Sequence, residues 1–150
     1  MNDTPKRLLI TAGPTHEPID PVRYLGNRSS GRMGVAMAAA ALEYGWAVTL
    51  LLGPIAKSPI DLLEHPPATW DQVDIHRYQS TADLQALLAR HFPQCDVLIM
   101  AAAVADYRPK HHHSGKVQRE AGGMTLELES TPDLVAECAR GKRADQRIMA

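Results

Sequence analysis

The chain has few cysteines, few aromatic residues (5%) and no block of like charge. Its 16 Lys and Arg nearly balance its 17 Asp and Glu, giving a formal charge of -1 and no basic tract that could follow a phosphodiester backbone. No apolar run approaches the roughly 20 residues of a membrane span, and the N-terminal residues 1–7 do not resemble a signal peptide. We therefore expect a cytoplasmic protein that binds neither nucleic acid nor membrane.

The two cysteines, Cys95 and Cys138, lie far apart in the sequence and form no C-x-x-C pair. This spacing does not support a disulfide framework or a zinc knuckle. We predict that both are buried, reduced thiols.

Apolar residues (45%) and charged residues (22%) occur in ordinary proportions, and 150 residues suit one domain. Short apolar runs alternate with helical patterns, which predicts an α/β fold: a Rossmann-like, doubly wound, mostly parallel sheet in three α/β/α layers. We expect one nucleotide-binding synthetase domain over residues 1–150, incomplete at its C-terminus because the last strand pattern has no turn after it.

The predicted strands are 6–12, 46–52, 73–78, 96–102, 124–129 and 147–150, the fifth being antiparallel or at an edge. One helix is predicted over 30–44 with a serine N-cap, and one over 84–92 behind a capping box at 80–83. A third is predicted over LVAECAR (134–140), with Thr131 as N-cap and Gly141 as stop. The remaining segments 13–28, 55–71 and 104–123 are predicted loops. Loops that follow parallel strands border the ligand cleft of such sheets.

The segment Gly26–Gly34 occupies the place of the glycine-rich turn of a dinucleotide-binding fold, but it is not G-x-G-x-x-G. Its amides and the hydroxyls of Ser29 and Ser30 could bind a phosphate at a helix N-terminus. The same residues could simply cap a helix and allow close packing. Asn27 could hold a reacting oxygen, or could be an ordinary turn residue.

Several polar residues in the two long loops admit two interpretations each. Asp106 could bind ribose hydroxyls or magnesium, or cap a turn. Lys116 could neutralise a triphosphate, or be merely solvated. The run His111–His113 could bind a metal, although adjacent histidines rarely converge on one ion. Glu17, Asp20 and Arg23 could orient a substrate or a metal, or tie the first loop together.

Taken together, the segments ITAGPTHEPIDPVRYLGNRSSGRMG (10–34), AAAVADYRP (101–109), the following Lys116 and TPDLVA (131–136) resemble phosphopantothenate-cysteine ligase of coenzyme A biosynthesis. The resemblance covers nearly the whole chain. It implies that 4′-phosphopantothenate attacks the α-phosphate of CTP to give an acyl-cytidylate and pyrophosphate, and that cysteine then displaces CMP. Mg²⁺ is implied as the counter-ion of the triphosphate.

The resemblance also implies roles for individual residues. Asn27 and Lys116 would be catalytic, Asn27 by handling the acyl-cytidylate. The implied nucleotide-binding residues are Gly13, Ser29, Ser30, Gly31, Met100, Ala101, Ala102, Asp106 and Lys116. The amides and hydroxyls at the start of the first helix should then face the same pocket as Lys116. A homodimer and a separate flavin-dependent phosphopantothenoylcysteine decarboxylase are implied as partners, and FMN is not expected on this chain.

The sequence departs from the family pattern in two places. Lys116 is followed by Val-Gln-Arg where further lysines are usual, and the strand begun at Arg147 should continue into a G-F-A-x-E-like segment with a later basic flap. We therefore expect these 150 residues alone to bind nucleotide weakly and to ligate poorly.

Two other functions fit parts of the pattern. An NAD(P)-dependent reductase or epimerase would share the α/β order, but Tyr107 and Lys110 are three positions apart and not the four of a Y-x-x-x-K pair. A non-catalytic nucleotide-binding module is the other alternative.

Overall fold

A computed structural model describes residues 4–119 and 121–150 of the chain. Residues 1–3 of the N-terminal segment and Glu120 of the last predicted loop lie outside this part. The strands are β1 (Arg7–Pro14), β2 (His16–Pro18), β3 (Tyr24–Gly26), β4 (Ala47–Leu52), β5 (Asp74–Arg77), β6 (Val97–Ala103), β7 (Tyr107–Pro109), β8 (Leu128–Ser130) and β9 (Arg147–Met149). The α-helices are α1 (Arg32–Glu43), α2 (Thr81–His91) and α3 (Leu134–Arg140).

Five of these strands form one parallel sheet in the order β5-β4-β1-β6-β9. The chain moves outward from β1 through β4 to β5, then crosses back to β6 on the other side of β1 and continues to β9. The direction of winding thus reverses between β1 and β6. The predicted Rossmann-like, doubly wound α/β fold is confirmed, and the reversal marks where ligands bind in such sheets.

The core lies on both faces of the sheet because successive residues of a strand point to opposite faces. Leu8, Ile10 and Ala12 of β1 pack on the α1 side, whereas Leu9 packs on the side of α2 and α3. These side chains are at most 4% exposed, and each belongs to one of the two buried helix–sheet layers. The α/β/α layering follows from these near-continuous apolar strands.

Helix α1 approaches the sheet closely because its inward face carries small residues. A Cβ atom on Gly34 would stand 2.4 Å from the Cβ of Ala12 in β1, closer than two carbons can pack. Glycine at this position lets the first turn of α1 contact the end of β1. This contact fixes the helix N-terminus beside the carboxyl edge of the sheet.

The predicted loops contain more structure than the sequence indicated. The segment 13–28 includes the β2–β3 hairpin, and β7 within 104–123 pairs with β8. Of the predicted strand 124–129, only its last two residues belong to the strand β8, Leu128–Ser130. Prolines in these segments favour loops, but Pro18 ends β2 and Pro109 ends β7, each at the end of a two-stranded pairing where one ladder bond is not needed.

Two predicted caps are wrong. Helix α1 begins after Gly31, whose φ is 73° and which makes no side-chain cap, so neither serine caps it. Helix α3 is capped by Asp133, whose carboxylate accepts from Ala136 N at 2.9 Å, and not by Thr131. Thr131 instead donates to Ala105 O at 2.6 Å. The capping box of Ser80 and Asp83 on α2 and the stop of α3 at Gly141 are confirmed.

Cys95 and Cys138 are both free and buried, as predicted. Burial raises the pKa of the Cys95 thiol to about 11, and it raises that of Cys138 as well. Within residues 4–119 and 121–150, no helix combines the length and the apolar character that crossing a bilayer requires.

Candidate functional site

The carboxyl ends of β1 and β6 meet at the reversal point of the sheet. Their register pairs Gly13 with Ala102 and Pro14 with Ala103, so the two strands end together. Gly13 has a φ of 83°, a conformation that favours glycine, and its N atom lies 3.4 Å from where a Cβ of Gly31 would stand. The start of α1 therefore lies directly against the end of β1.

Asn27 lies across this reversal point. Its Nδ2 donates to Val104 O at 3.1 Å and more weakly to Ala103 O at 3.4 Å, just beyond the end of β6. Both contacts use the amide nitrogen, and Oδ1 accepts no hydrogen bond from the described residues. Asn27 is an exposed residue fixed in place through its Nδ2, with Oδ1 open to a ligand or to solvent.

The start of α1 has no side-chain cap, and its first amides are weakly engaged. Ser29 Oγ accepts from Gly31 N at 3.4 Å, and Ser30 Oγ accepts from Arg32 N at 3.4 Å, both at the long limit for hydrogen bonds. Uncapped N–H groups at a helix N-terminus favour an anion there.

A cavity of about 640 Å³ opens beside these serines. It is lined by Arg28, Ser29, Ser30, Arg32, Ala56, Lys57 and Leu62. Three of these residues carry positive charge and none carries negative charge, so the cavity suits a phosphate group by charge as well as by hydroxyl donors. It includes Ser29 and Ser30 from the predicted site.

Sequence reasoning missed Lys57. It lies in the loop that follows β4, the neighbour of β1 in the sheet. All parallel strands end at the same edge, so the loop after β4 belongs to the cleft as surely as the loops after β1 and β6. Residues 55–71 are rich in proline and match no binding motif, so the sequence did not indicate a role for Lys57 near their start.

Asp106 and Met100 share a second cavity, of about 340 Å³, near the end of β6. The backbone of Asp106 is held by Thr131, whose N donates to Asp106 O at 2.9 Å. Its carboxylate accepts no hydrogen bond from the described residues, so it is not a turn cap. Asp106 is an exposed acid at the mouth of the cleft.

The predicted backbone contacts of Met100, Ala101 and Ala102 are partly occupied within the fold. Ala102 N donates to Thr11 Oγ1 at 3.1 Å, and the pairing of β6 with β9 extends only to Ile99 in the described residues. Beyond Ile99, residues 100–103 pair with β1 alone. Of these residues, Met100 lines the second cavity.

Lys116 does not line either cavity among the described residues. It precedes Val117, whose N donates to Asp20 Oδ2 at 3.1 Å and whose O accepts from Arg23 Nη2 at 2.7 Å. These bonds hold the last part of the second loop against the first. Among the described residues, Lys116 does not line the cavity beside Ser30. Its role in binding the phosphates stays a prediction.

The acids of the first loop tie it to the rest of the protein. Glu17 is 3% exposed and its Oε1 accepts from Thr81 N at 2.8 Å and from Thr81 Oγ1 at 2.6 Å, which binds the β2–β3 hairpin to the start of α2. Asp20 accepts from the backbone and guanidinium of Arg23. The guanidinium of Arg23 holds the pKa of Asp20 well below its usual range.

The remaining motifs serve other roles. His111–His113 belong to no group of three metal-ligand side chains in the described residues, and His113 N donates to Ile19 O at 3.1 Å. Lys110 Nζ lies 2.7 Å from Glu127 Oε1 across the β7–β8 hairpin. Lys110 is thus paired with Glu127, and not with Tyr107 as a reductase-type Tyr–Lys pair would require.

A doubly wound parallel sheet with loops gathered at the carboxyl ends of β1 and β6 defines the class of Rossmann-like α/β proteins. Within that class, the chain belongs to the family described as the DNA/pantothenate metabolism flavoprotein C-terminal domain, which matches residues 4–150.

Several named proteins have sequences similar to this chain. The chain is 39% identical over 138 residues to the coenzyme A biosynthesis bifunctional protein CoaBC of Bacillus subtilis (strain 168), covering 92% of the chain and 32% of that protein. It is also 39% identical over 144 residues to a cysteine/cysteine sulfinic acid decarboxylase of an unknown prokaryotic organism, covering 96% of the chain and 38% of that protein. The chain thus spans about a third of the length of these relatives.

Solved structures show the same fold. The C-terminal domain of a CoaBC protein superposes with a TM-score of 0.75 at 39% identity, covering 95% of this chain and 62% of that one. A Cab2 mutant in complex with phosphopantothenate-cysteine superposes with a TM-score of 0.76 at 17% identity, with coverage of 95% and 62%. The second likeness concerns the fold alone.

Proposed function

We propose that this chain carries the nucleotide-binding part of a phosphopantothenate-cysteine ligase in coenzyme A biosynthesis. The observation that supports this most is Asn27, held across the ends of β6 next to a cavity with three cationic side chains. The Bacillus subtilis relative of the chain is named for coenzyme A biosynthesis, and one solved structure with this fold is a complex with phosphopantothenate-cysteine. The proposed protein is cytoplasmic, and its substrates are CTP, 4′-phosphopantothenate and cysteine.

The proposed reaction has two steps. A carboxylate oxygen of 4′-phosphopantothenate attacks the α-phosphorus of CTP, the bond to the bridging oxygen breaks, and pyrophosphate leaves. The amine of cysteine then attacks the acyl carbon of the acyl-cytidylate, CMP leaves with the electron pair, and the amine gives up a proton. Both steps concentrate negative charge on phosphate oxygens, and fixed positive charge lowers the cost of that charge.

Arg28, Arg32 and Lys57 supply this charge in the proposal. Ser29, Ser30 and the N–H groups at the start of α1 would donate hydrogen bonds to the phosphates. The Oδ1 of Asn27 would accept from the substrate, while its Nδ2 stays bound to Val104 O. Asp106 and residues 100–102 would contact the nucleoside, and Lys116 would approach the phosphates only if its loop moves.

The described residues that line the Ser30 cavity include no carboxylate and therefore do not form a magnesium site. Any Mg²⁺ would reach the cavity bound to the triphosphate as part of the substrate.

Replacing Lys57 tests the placement of the phosphates. A charge-assisted hydrogen bond contributes about 1.5–3 kcal/mol, so Lys57→Ala should weaken CTP binding by about tenfold or more. Isothermal titration calorimetry measures this affinity. Lys6→Ala is the matched control, because Lys6 precedes β1 at the opposite edge of the sheet, and its CTP affinity should match that of the unchanged chain.

The reaction itself is tested by pyrophosphate release. Release from CTP that requires 4′-phosphopantothenate supports the ligase, whereas tight CTP binding without release would indicate a non-catalytic nucleotide-binding module. Comparison with ATP in the same assay decides the base preference. The homodimer and the separate flavin-dependent decarboxylase remain proposals, the first of them testable by light scattering.

A further inference from the structure

Three metal-ligand side chains meet at the amino edge of the sheet, opposite to the nucleotide cleft. Asp74 and His76 lie on β5, and His91 is the last residue of α2. Their donor atoms, one from each residue, all lie within 4.8 Å of one another. Neither the proposed ligase chemistry nor the predicted histidine run 111–113 involves these residues.

The fold itself produces this juxtaposition. Asp74 and His76 are two apart on a strand and so share one face of β5, which is the edge strand of the sheet. Helix α2 follows β5 and runs back along the sheet, which brings its end beside the start of that strand. The rings of His76 and His91 lie with their centroids 4.3 Å apart and their planes at 47°.

One ring nitrogen in this group has no partner. His91 Nε2 is the only buried side-chain nitrogen or oxygen without a hydrogen bond in the described part of the chain. A buried polar atom left unpaired is costly and calls for an explanation. The other imidazole is oriented by Asp74, whose Oδ2 lies 2.9 Å from His76 Nε2.

A positively charged side chain also lies near this group. Arg7, at the start of β1, lines the same small cavity as Asp74 and His91 and counts against a bare cation, so the carboxylate must take part.

We propose that Asp74, His76 and His91 bind a divalent transition-metal ion of the zinc type. Two imidazoles, one carboxylate and a water form a common tetrahedral zinc environment. Zinc-to-nitrogen bonds of about 2.0–2.1 Å place donor atoms about 3.4 Å apart, which small rotations of these three side chains can reach. The adjoining cavity of about 190 Å³ has room for the water.

A metal at this position would join the end of α2 to the edge strand β5. It would stabilise the folded chain, since the site is not assembled in the unfolded one. The site is separate from the basic cavity, and its occupancy does not depend on CTP. Failure of the ligase proposal therefore leaves this proposal standing, and the converse also holds.

The experiment is a zinc titration of the untagged 150-residue chain against a chromophoric chelator. We expect one equivalent of Zn²⁺ to bind, and to raise the melting temperature. His91→Ala and His76→Gln should each weaken this binding by roughly tenfold or more, since even outer-shell changes cost that much. Circular dichroism of each variant in EDTA establishes that it is folded, and Asp74→Asn provides a third variant should one of these fail to fold.

The matched control removes the other histidine group. The triple variant His111→Ala, His112→Ala, His113→Ala deletes exposed imidazoles that could bind zinc without a built site, and it should retain the one tight equivalent. Loss of zinc in this control with full binding in folded His91→Ala would overturn the proposal. So would the absence of a tight equivalent in the unchanged chain. Co²⁺ substitution adds a spectroscopic signature, since tetrahedral coordination gives intense visible absorption.

Discussion

Tyr78 shows at the residue scale how one buried side chain supports the cleft. It is 5% exposed, and its hydroxyl donates to Ala12 O at 2.8 Å and lies 3.1 Å from Gly13 O. Both carbonyls lie near the carboxyl end of β1. The sequence marked Tyr78 only as the end of a strand. Its function in the structure is to fix the backbone against which Gly31 and the start of α1 rest.

Tyr78→Phe should reduce the free energy of unfolding by about 1–2 kcal/mol, because it removes a buried hydroxyl donor from the carbonyls of Ala12 and Gly13. Urea denaturation measures this change. Tyr44→Phe is the matched control, since Tyr44 is 83% exposed and the same deletion there should be nearly silent. Equal effects in the two variants would contradict the assigned role of the hydroxyl.

The same residue makes a pH prediction. Burial raises the pKa of Tyr78, so the folded state holds the neutral phenol while the unfolded chain ionises near its ordinary value of about 10. The stability from this difference is present below pH 10 or so and is lost as pH rises above it. Between about pH 9 and pH 11 the unchanged chain should therefore lose more stability than Tyr78→Phe, with Tyr44→Phe behaving like the unchanged chain.

The helix starts differ at the element scale, and the difference fits the proposed phosphate site. Helices α2 and α3 are capped by Ser80 and Asp133, whereas α1 starts at Gly31 without a side-chain cap from the described residues. Under the proposed function, a cap would occupy the amides that α1 would offer to a phosphate. The helix at the cleft thus gives up local stability that the other two keep.

Ser80→Ala should cost about 1 kcal/mol, because it removes the acceptor for Asp83 N at 3.2 Å from the capping box. Chemical denaturation of the variant measures this loss. Ser58→Ala is the control: Ser58 also precedes a helical turn but makes no side-chain cap, and its effect should stay within about 0.5 kcal/mol. A neutral Ser80→Ala would mean that packing and not the cap fixes the start of α2.

At the scale of the whole molecule, Asp20 connects the two long loops, residues 13–28 and 104–123. Its carboxylate accepts from Arg23 in its own loop and from Val117 N, 97 positions along the chain. The bond between Ile19 O and His113 N runs in parallel. The position of Lys116 therefore depends on these hydrogen bonds between the two loops, which we call the Asp20 joint.

Asp20→Asn should weaken the joint and flatten the acid limb of the stability curve. The Arg23 guanidinium lowers the pKa of Asp20 below that of the unfolded chain, so its stabilisation is present above about pH 4 and is lost as pH falls further. Stability measured between about pH 5 and pH 2 should fall less steeply in Asp20→Asn than in the unchanged chain. Asp61→Asn, at an exposed acid whose carboxylate accepts no described hydrogen bond, should keep the steeper limb; parallel curves for all three chains would refute the prediction.

The local sequence predicted the sheet well because its signals are local. The apolar runs around Leu8–Ala12, Val48–Leu52 and Val97–Ala102 specify buried parallel strands, and Ser80 with Asp83 specifies a helix start. The predicted cap of α1 was wrong because the helix starts at Gly31, without a side-chain cap from the described residues. That of α3 was wrong because several polar residues in a row compete for one cap position. Which of them wins depends on contacts such as that of Thr131 with Ala105, which no local pattern contains.

The amino-acid sequence by itself determined the alternation of strands and helices, and hence the edge of the sheet at which the loops gather. Only the tertiary structure decided which side chains meet there and elsewhere: Lys57 beside Ser30, Lys116 beside the Asp20 joint, and His91 beside Asp74. The physical reason is the distance along the chain over which each kind of signal acts. Periodicity acts over a few neighbouring residues, whereas each of these meetings joins segments that lie close only after the strands have been ordered in the sheet.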